Sequence, residues 1–327
     1  MKRLAYLIAA AALCGLASAP ARAVEYWLGG VDPVVQRMAH KPVMQDYMGL
    51  LSEPEAWRAG AAKVAVFKVS AQFVLFGEPD MIRRVFNEMH ARHVRMAVEM
   101  GSVVRLDDCG GGEGYAPPDM ADKMGKKLRE LGVTLDYMAL DEPVWYGHEI
   151  TTGMTPLHQP FCAYPLKVVA QRSAMSVKAM RKYFPGVQVG FVDVVSTNLV
   201  PPAQLARDCG EFAGLLQDAI GARLAFFHAD IAWKTNWQAA LPMFKREMRA
   251  RHIPFGIIIG GSPDQRTNEA WVEVALQRLR AIEADPATRP DQIVAQSWQN
   301  LPTHMLPETQ PGSETYLLLQ SERIAGP

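Results

Sequence analysis

A short apolar run followed by an amphipathic run recurs eight times along this 327-residue chain. Each apolar run resembles a strand of a parallel sheet, because such strands are buried on both faces and lack polar alternation. The predicted strands are 26–30, 63–69, 94–100, 135–140, 187–192, 223–227, 254–259 and 292–297. The intervening runs carry apolar residues at the helical period, with helices predicted at 81–91, 117–131, 166–183, 201–221, 237–251, 267–284 and 313–324.

Eight strand–helix units in one uninterrupted chain predict a single (β/α)8 barrel over residues 24–327. The alternative is an open, doubly wound sheet, which normally carries a glycine-rich phosphate loop after its first strand. Here Gly29 and Gly30 are followed by Val31, Asp32 and Pro33, which do not fit that fingerprint. The barrel is therefore favoured.

The N-terminus has the three parts of a secretory signal peptide. Lys2 and Arg3 precede an uncharged apolar run at 4–16, and a small-x-small pattern ends at Ala23. We expect residues 1–23 to be removed and the mature chain to be periplasmic or secreted. A lipid anchor on Cys14 is disfavoured because Leu13 precedes it, and no later stretch is apolar enough for a membrane helix.

Charge and cysteine content limit the kinds of partner and the disulfide pairing that this chain can have. The chain carries 34 basic and 34 acidic residues, and loss of the signal peptide leaves 31 and 34. This balance argues against a nucleic-acid partner. An oxidising compartment permits one disulfide. Cys109 and Cys162 lie in Gly/Pro-rich loops and are the predicted pair, whereas Cys209 falls in a helical stretch.

Polar residues collect where the predicted strands end. In a barrel these ends meet at one face, where active sites lie. The candidates are Asp32, Lys68, Glu99, Asp141, Glu142, Asp193, His228 and Asp230. Lys68 could instead form a salt bridge inside the barrel mouth, and His228 could simply be a neutral side chain that is hydrogen-bonded to Asp230. Several carboxylates at one rim repel one another, however, and such clusters are usually kept for a ligand or a reaction.

Aromatic residues follow the same strand ends. They are Trp145, Tyr146, Trp233, Trp237 and Trp298. Apolar ring faces beside carboxylates suit the C–H face and the hydroxyls of a sugar, so a carbohydrate ligand is predicted. The same set could also accept a flat aromatic ligand. The insertion at 145–165, which contains His148 and His158, is interpreted as a lid or a subsite wall.

The tripeptide Asp141-Glu142-Pro143 resembles the strand-four Asn-Glu-Pro motif of the large clan of retaining (β/α)8 glycoside hydrolases. That resemblance implies that Glu142 is the proton donor and that Trp298 lines the sugar subsite next to the cleaved bond. Two features depart from the family. Asp141 stands where the family has Asn, and the seventh strand ends in Gly260-Gly261 where the family has its nucleophilic Glu.

The leading hypothesis is a glycoside hydrolase that needs two carboxyl groups and no cofactor or metal ion. Glu142 is the predicted general acid and Asp230 the base, with Asp193 or Glu99 as alternatives for the base. Their separation by an intervening strand favours inversion. The predicted substrate contacts are Asp32, Lys68, Glu99, Asp141, Trp145, Asp193, His228, Trp233 and Trp298.

Two other functions stay open at this point. A metal-dependent hydrolase could use His228, Asp230, Glu99 and Glu142 as ligands, although the sequence has no His-x-His or His-x-x-x-His pair at a strand end. A barrel that binds carbohydrate without cleaving it would explain the missing carboxylate on the seventh strand.

Overall fold

The computed structural model of this protein describes residues 23–38, 44, 46–153, 158–196 and 198–326. The predicted signal peptide lies outside the described residues except for Ala23, so its cleavage and the export of the chain stay predictions. In the described part of the chain, no helix combines the length and apolar character that crossing a membrane requires.

Eight parallel strands close into a barrel, which confirms the predicted (β/α)8 fold. The barrel strands in spatial order are β1 (Glu25–Leu28), β2 (Val64–Ser70), β3 (Arg95–Gly101), β6 (Tyr137–Asp141), β7 (Gln188–Val195), β8 (Phe227–Ile231), β9 (Phe255–Ile259) and β10 (Gln292–Ala295). Closure is made by β10, which pairs in parallel with β1. A separate two-stranded sheet, β4 (Val103–Val104) and β5 (Tyr115–Ala116), follows β3.

Helices surround the barrel and cover the outward faces of its strands. They are α1 (Pro33–Met38), α2 (Gly49–Ser52), α3 (Arg58–Ala61), α4 (Ala71–Phe76), α5 (Pro79–Ala91), α6 (Met120–Glu130), α7 (Leu166–Arg181), α8 (Pro202–Ile220), α9 (Trp237–Ala250), α10 (Asn268–Ala284) and α11 (Glu314–Ala325). A 3-10 helix covers Pro54–Trp57 and a single π-helical turn covers Trp145–Glu149.

The long helices begin and end close to where the sequence predicted. Pro202 opens α8 in the first turn, where its missing N–H costs nothing, and Gly221 ends the helix with a left-handed φ of 64°. Thr267 and Ser313 cap α10 and α11, because each side chain accepts a backbone N–H from the first turn.

The sixth barrel strand lies further along the chain than predicted. The sequence placed it at 223–227, but β8 spans Phe227–Ile231. The apolar residues at 224–227 favoured the earlier position, whereas the polar residues His228 and Asp230 alternate with Ala229 and Ile231 in the strand itself. The correction matters because His228 and Asp230 lie within the strand and not beyond its end.

A disulfide joins Cys109 to Cys162, with their Cα atoms 5.2 Å apart, and Cys209 is a buried free thiol. This is the pair that the sequence predicted. Cys109 belongs to the connection between β4 and β5, whereas Cys162 belongs to the long connection between β6 and α7. The bond therefore ties two loops together on the face where the strands end.

Candidate active site

Side chains two residues apart on a strand share a face, so the barrel interior can be followed upward along each strand. The interior cluster consists of Trp27, Val66, Ala97, Tyr137, Ala139, Val192, Phe226, Ile258 and Val294. Two residues further on, the same alternation places Lys68, Glu99, Asp141 and Gln296 on the interior face, and Asp230 follows Phe226 by four. A charged layer thus covers an apolar one at the mouth of the barrel.

Lys68 neutralises one carboxylate of this layer. Its Nζ donates to Glu99 Oε2, and both side chains are almost fully buried. Gln296 Nε2 lies 3.4 Å from Glu99 Oε1 and satisfies the other oxygen. Gly29 leaves space for this group, since a Cβ there would lie a tight 3.2 Å from Gln296 Oε1 and 3.4 Å from Lys68 Cβ. Glu99 is therefore held in place by two polar partners.

Asp141 and Asp230 have no such direct partner among the described residues, and both keep partial contact with solvent. Desolvation, followed by the charge of Glu99, raises the pKa of Asp141 well above its ordinary value. The same two causes raise the pKa of Asp230 to about 6. The positive charge of Lys68 opposes both shifts, so it limits the repulsion without removing it.

Glu142 follows directly after β6 in a backbone conformation that is unusual for a residue with a side chain. Its φ is 40°, in the left-handed region, and Pro143 comes next. Such strain persists where the surroundings enforce it, and it is frequent at active sites. The side chain is buried, and desolvation, Asp141 and Asp230 together raise the pKa of Glu142 well above its ordinary value. These causes favour the protonated form of Glu142.

The disulfide-linked loops form a wall beside these carboxyls. Tyr146 donates its hydroxyl to Glu113 Oε2 at 2.6 Å, and its ring stacks near Phe161 with centroids 6.2 Å apart. Tyr115 in turn donates to the backbone oxygen of Tyr146 at 2.9 Å. Glu113 also contributes to the raised pKa values of Asp141, Glu142 and Asp230, which places its charge near all three.

The predicted aromatic residues lie around this mouth but differ in how they are held. Trp145 and Trp298 are partly buried. Trp233 packs edge-on against Trp237 at 5.4 Å, and the guanidinium of Arg278 lies 4.4 Å from its ring centroid. Arg278 is fixed by hydrogen bonds to the backbone oxygens of Gly260 and Gly261, at 2.7 and 2.6 Å. The Arg278 guanidinium therefore helps to hold the Trp233 ring through a cation–π contact.

Two predicted substrate contacts have structural roles and no exposed surface. Asp32 Oδ1 accepts the backbone N–H groups of Val34 and Val35 at 3.0 Å each, so it caps α1, and Ser70 donates to its other oxygen. Asp193 points away from the interior, because Val192 is the interior residue of that strand. These corrections follow from strand register and from helix capping, which strand-end position alone does not reveal.

Asp193 nevertheless supports the site indirectly. Its carboxylate accepts N–H groups from Val144 at 2.8 Å and Trp145 at 3.1 Å, which are the residues just after Glu142. It also accepts from Val194 at 2.9 Å. Burial raises the pKa of Asp193 to about 7, although these hydrogen bonds favour its charged form. Asp193 therefore positions the turn that carries Glu142 and Trp145.

His228 is likewise corrected from a substrate contact to an internal packing residue. Its ring stacks on Phe226 at 4.3 Å and meets Trp27 edge-on at 4.7 Å, and it has no exposed surface. Nε2 lies 3.0 Å from Gln292 Oε1, and burial lowers the pKa of the ring well below its ordinary value. A neutral His228 beneath the charged layer does not join Glu99, Glu142 and Asp230 as a metal ligand.

The sequence reasoning missed Glu113 and the roles of Gln296 and Arg278. Glu113 stands in a glycine-rich loop, where no periodicity predicts which way a side chain faces. Gln296 lies within the predicted strand at 292–297 and was not singled out there. Gln296 lies two residues after Val294, which faces the interior, so the period of the strand could have placed Gln296 on the interior face beside Glu99.

No protein-family model matches the chain, and no curated protein matches its sequence. Solved structures do resemble it. An endo-1,4-beta-xylanase from Caldicellulosiruptor owensensis superposes with a TM-score of 0.51 at 9% identity, covering 90% of this chain and 96% of the xylanase. The carboxyl transferase domain from Rhizobium etli pyruvate carboxylase with pyruvate gives a TM-score of 0.51 at 11% identity, over 94% of this chain and 48% of that one.

At these identities the likeness concerns the fold alone. Both proteins resemble the fold of this chain, although one is a xylanase and the other a carboxyl transferase domain. Any conclusion about activity therefore has to come from the residues at the mouth of this barrel.

Proposed function

We propose that this protein is a glycoside hydrolase acting on an oligosaccharide or polysaccharide outside the cytoplasm. Glu142 is the general acid and Asp230 the general base. The observation that carries the proposal is the difference between two neighbouring carboxyl groups. The pKa of Glu142 is raised well above its ordinary value, whereas that of Asp230 is raised only to about 6. Glu142 is biased toward the protonated form that a general acid needs, whereas Asp230 is ionised above about pH 6 and can then take a proton from water as a general base.

The two groups lie on different strands of the same mouth. β7 lies between β6, which leads to Glu142, and β8, which carries Asp230. Carboxyls that are separated by an intervening strand would have space for a water molecule between the base and the sugar, which is the arrangement of an inverting enzyme. Gly260 at the end of β9 provides no carboxylate for a covalent intermediate of the retaining clan.

The walls suit a carbohydrate. Trp145, Trp298 and Tyr146 offer ring faces, while Asp141, Glu99 and Glu113 offer acceptors for hydroxyl groups. Export is supported by the disulfide between Cys109 and Cys162, since such bonds persist in oxidising compartments. The similarity in fold to a xylanase makes β-1,4-linked xylans the first substrates to test.

The experiment compares Glu142→Gln and Asp230→Asn with the wild type on a panel of plant and bacterial oligosaccharides. Both variants should lose at least 100-fold in kcat, because general acid–base groups contribute about that much or more. Glu130→Gln, an exposed substitution on α6, is the matched control and should keep wild-type activity. Wild-type turnover by either active-site variant would overturn the assignment.

A second measurement separates the two roles. An aryl glycoside with an acidic phenol as leaving group needs little protonation, so Glu142→Gln should recover much of its loss on that substrate. Asp230→Asn should not recover, because water activation is still required. Proton NMR of the first product then reports inversion or retention directly.

A barrel that binds carbohydrate without cleavage is the second candidate, and Gly260 is the observation that favours it. In that case the wild type would bind an oligosaccharide in calorimetry, and it would release no reducing ends from any sugar of the panel. Glu142→Gln would then bind as tightly as the wild type.

A further inference from the structure

A second group of potential ligands lies outside the carboxyl cluster at the mouth. His148 and Glu149 belong to the π-helical turn Trp145–Glu149, and Asp208 belongs to α8. One ligand atom from each residue lies within 4.8 Å of the other two, and all three residues are partly buried. Neither the proposed acid nor the proposed base belongs to this group.

The histidine of this group has a fixed tautomer. Its Nδ1 lies 2.6 Å from the backbone oxygen of Tyr164. A carbonyl oxygen can only accept, so Nδ1 carries the hydrogen and the lone pair of a neutral ring stands on Nε2. Metal-binding histidines commonly show this arrangement, in which the second nitrogen is anchored to a carbonyl or a carboxylate.

The two carboxylates have oxygens that are buried without a partner. Glu149 Oε1 and Asp208 Oδ2 are both inaccessible to solvent, and when both carboxyls are ionised neither atom accepts a hydrogen bond from the described part of the chain. Two partly buried carboxylates side by side repel each other, and a positive ion between them would offset that cost.

We propose that His148 Nε2, Glu149 and Asp208 form a binding site for one divalent transition-metal ion of the Zn²⁺ type. One imidazole and two carboxylates match the nitrogen and oxygen donors that Zn²⁺ accepts, and water completes the coordination. The imidazole disfavours Ca²⁺ and Mg²⁺, which prefer oxygen ligands alone.

The ligand atoms are already close to the required separation. Bonds of about 2.1 Å in a tetrahedral site place ligand atoms about 3.4 Å apart. The three ligand atoms lie within 4.8 Å of one another, so they need to approach by at most about 1.4 Å. Tyr164 donates its N–H to the oxygen of Gly147 at 2.8 Å, so the turn is already held by a backbone hydrogen bond.

The ion would have a structural role. It would link the turn that carries Trp145 and Tyr146 to α8, and Asp193 already fixes the first residue of that turn. The wall of the proposed sugar site would thereby be tied to the outer helical layer. The site stands independently of the proposed hydrolase activity, since none of its three ligands is assigned to the reaction.

The test begins with purified protein that has been treated with a chelator and then dialysed. Titration calorimetry with Zn²⁺ and visible absorption with Co²⁺ should each show one ion bound per chain. Zn²⁺ should also raise the melting temperature, because it binds the folded state. Failure of the wild type to take up either ion would overturn the proposal.

Matched variants then locate the site. Asp208→Asn and Glu149→Gln keep the side-chain shape and should each weaken Zn²⁺ binding at least tenfold. His252→Asn replaces an exposed histidine with a left-handed φ of 56° by a residue that tolerates it, and should bind Zn²⁺ as the wild type does. Circular dichroism without metal checks that each variant is folded. Unchanged affinity in both carboxylate variants would show that any bound ion lies elsewhere.

Discussion

Lys68 and Glu99 form a buried ion pair across neighbouring strands at the mouth of the barrel, with 1% and 7% of their side chains exposed. The pair divides the carboxyl cluster into two kinds of group. Glu99 is paired and held, whereas burial and the charges of nearby carboxylates raise the pKa values of Asp141, Glu142 and Asp230. Lys68 lowers the pKa values of Asp141 and Asp230, so it would tune the proposed reaction without being the acid or the base.

Lys68→Met should destabilise the fold by about 3 kcal/mol, because it leaves the buried Glu99 charge without its partner. Urea unfolding measures this loss. The double variant Lys68→Met with Glu99→Gln removes both charges and should regain most of the stability. If the double variant were as unstable as the single one, packing of the Lys68 stem would account for the effect.

The fold was predictable from the sequence, and so was the gathering of charged residues at the strand ends, for one physical reason. Buried parallel strands are so apolar that a charged residue marks their ends, as Lys68 and Glu99 do. What the strand ends did not show is which way each residue faces. Asp230 faces the interior, whereas Asp193 follows the interior residue Val192 and so faces outward.

The role of Asp32 was readable locally, because an Asp-Pro pair at a helix start is a capping signal. The place of Glu113 depended on contacts that no local pattern encodes. Glu113 gave no such signal, because its place is set by the path of a glycine-rich loop and by Tyr146 on another loop. A contact between two loops that are distant in sequence can be identified only in the folded structure.

Removal of the disulfide should weaken the wall of the site and the fold together. Cys109 and Cys162 are separated by 53 positions, so Cys109→Ser should lower the free energy of unfolding by roughly 2–4 kcal/mol. Cys162→Ser should cost the same, and the double variant no more than either single change. Urea unfolding gives the values, and peptide mapping without reductant should recover the linked pair from the wild type.

Cys209→Ser is the control for that comparison, since Cys209 is a free thiol buried in α8. It should leave the linked peptide intact. Loss of the linked peptide in Cys209→Ser, or its presence in Cys109→Ser, would contradict the assigned pairing.

The protonation of Asp193 should make stability fall as pH rises. Its pKa is about 7 in the folded protein and 3.8 as its ordinary value, so between these limits the folded state holds the extra proton. The stability that this proton contributes is fully present below pH 4 and lost above pH 7. Between these limits the free energy of unfolding falls by at most about 1.4 kcal/mol per pH unit.

Asp193→Asn isolates this contribution. The buried His228, whose pKa is lowered, acts in the opposite direction in both proteins and cancels from the difference. The unfolding free energy of the wild type minus that of the variant, measured in urea from pH 4 to 8, should therefore fall steadily up to pH 7. A difference that does not change with pH would show that Asp193 is ionised in the fold throughout.

The pH dependence of hydrolysis should follow from Asp230 and Glu142 together. Asp230 must be ionised to act as a base, and its pKa is about 6, so kcat/KM should fall tenfold per pH unit below about pH 6. Glu142 must be protonated, and its raised pKa keeps activity until a higher pH. Lys68→Met removes a charge that lowers the pKa of Asp230, and so should move the acidic limb to higher pH. An acidic limb that stays in place in this variant would exclude Asp230 as the base.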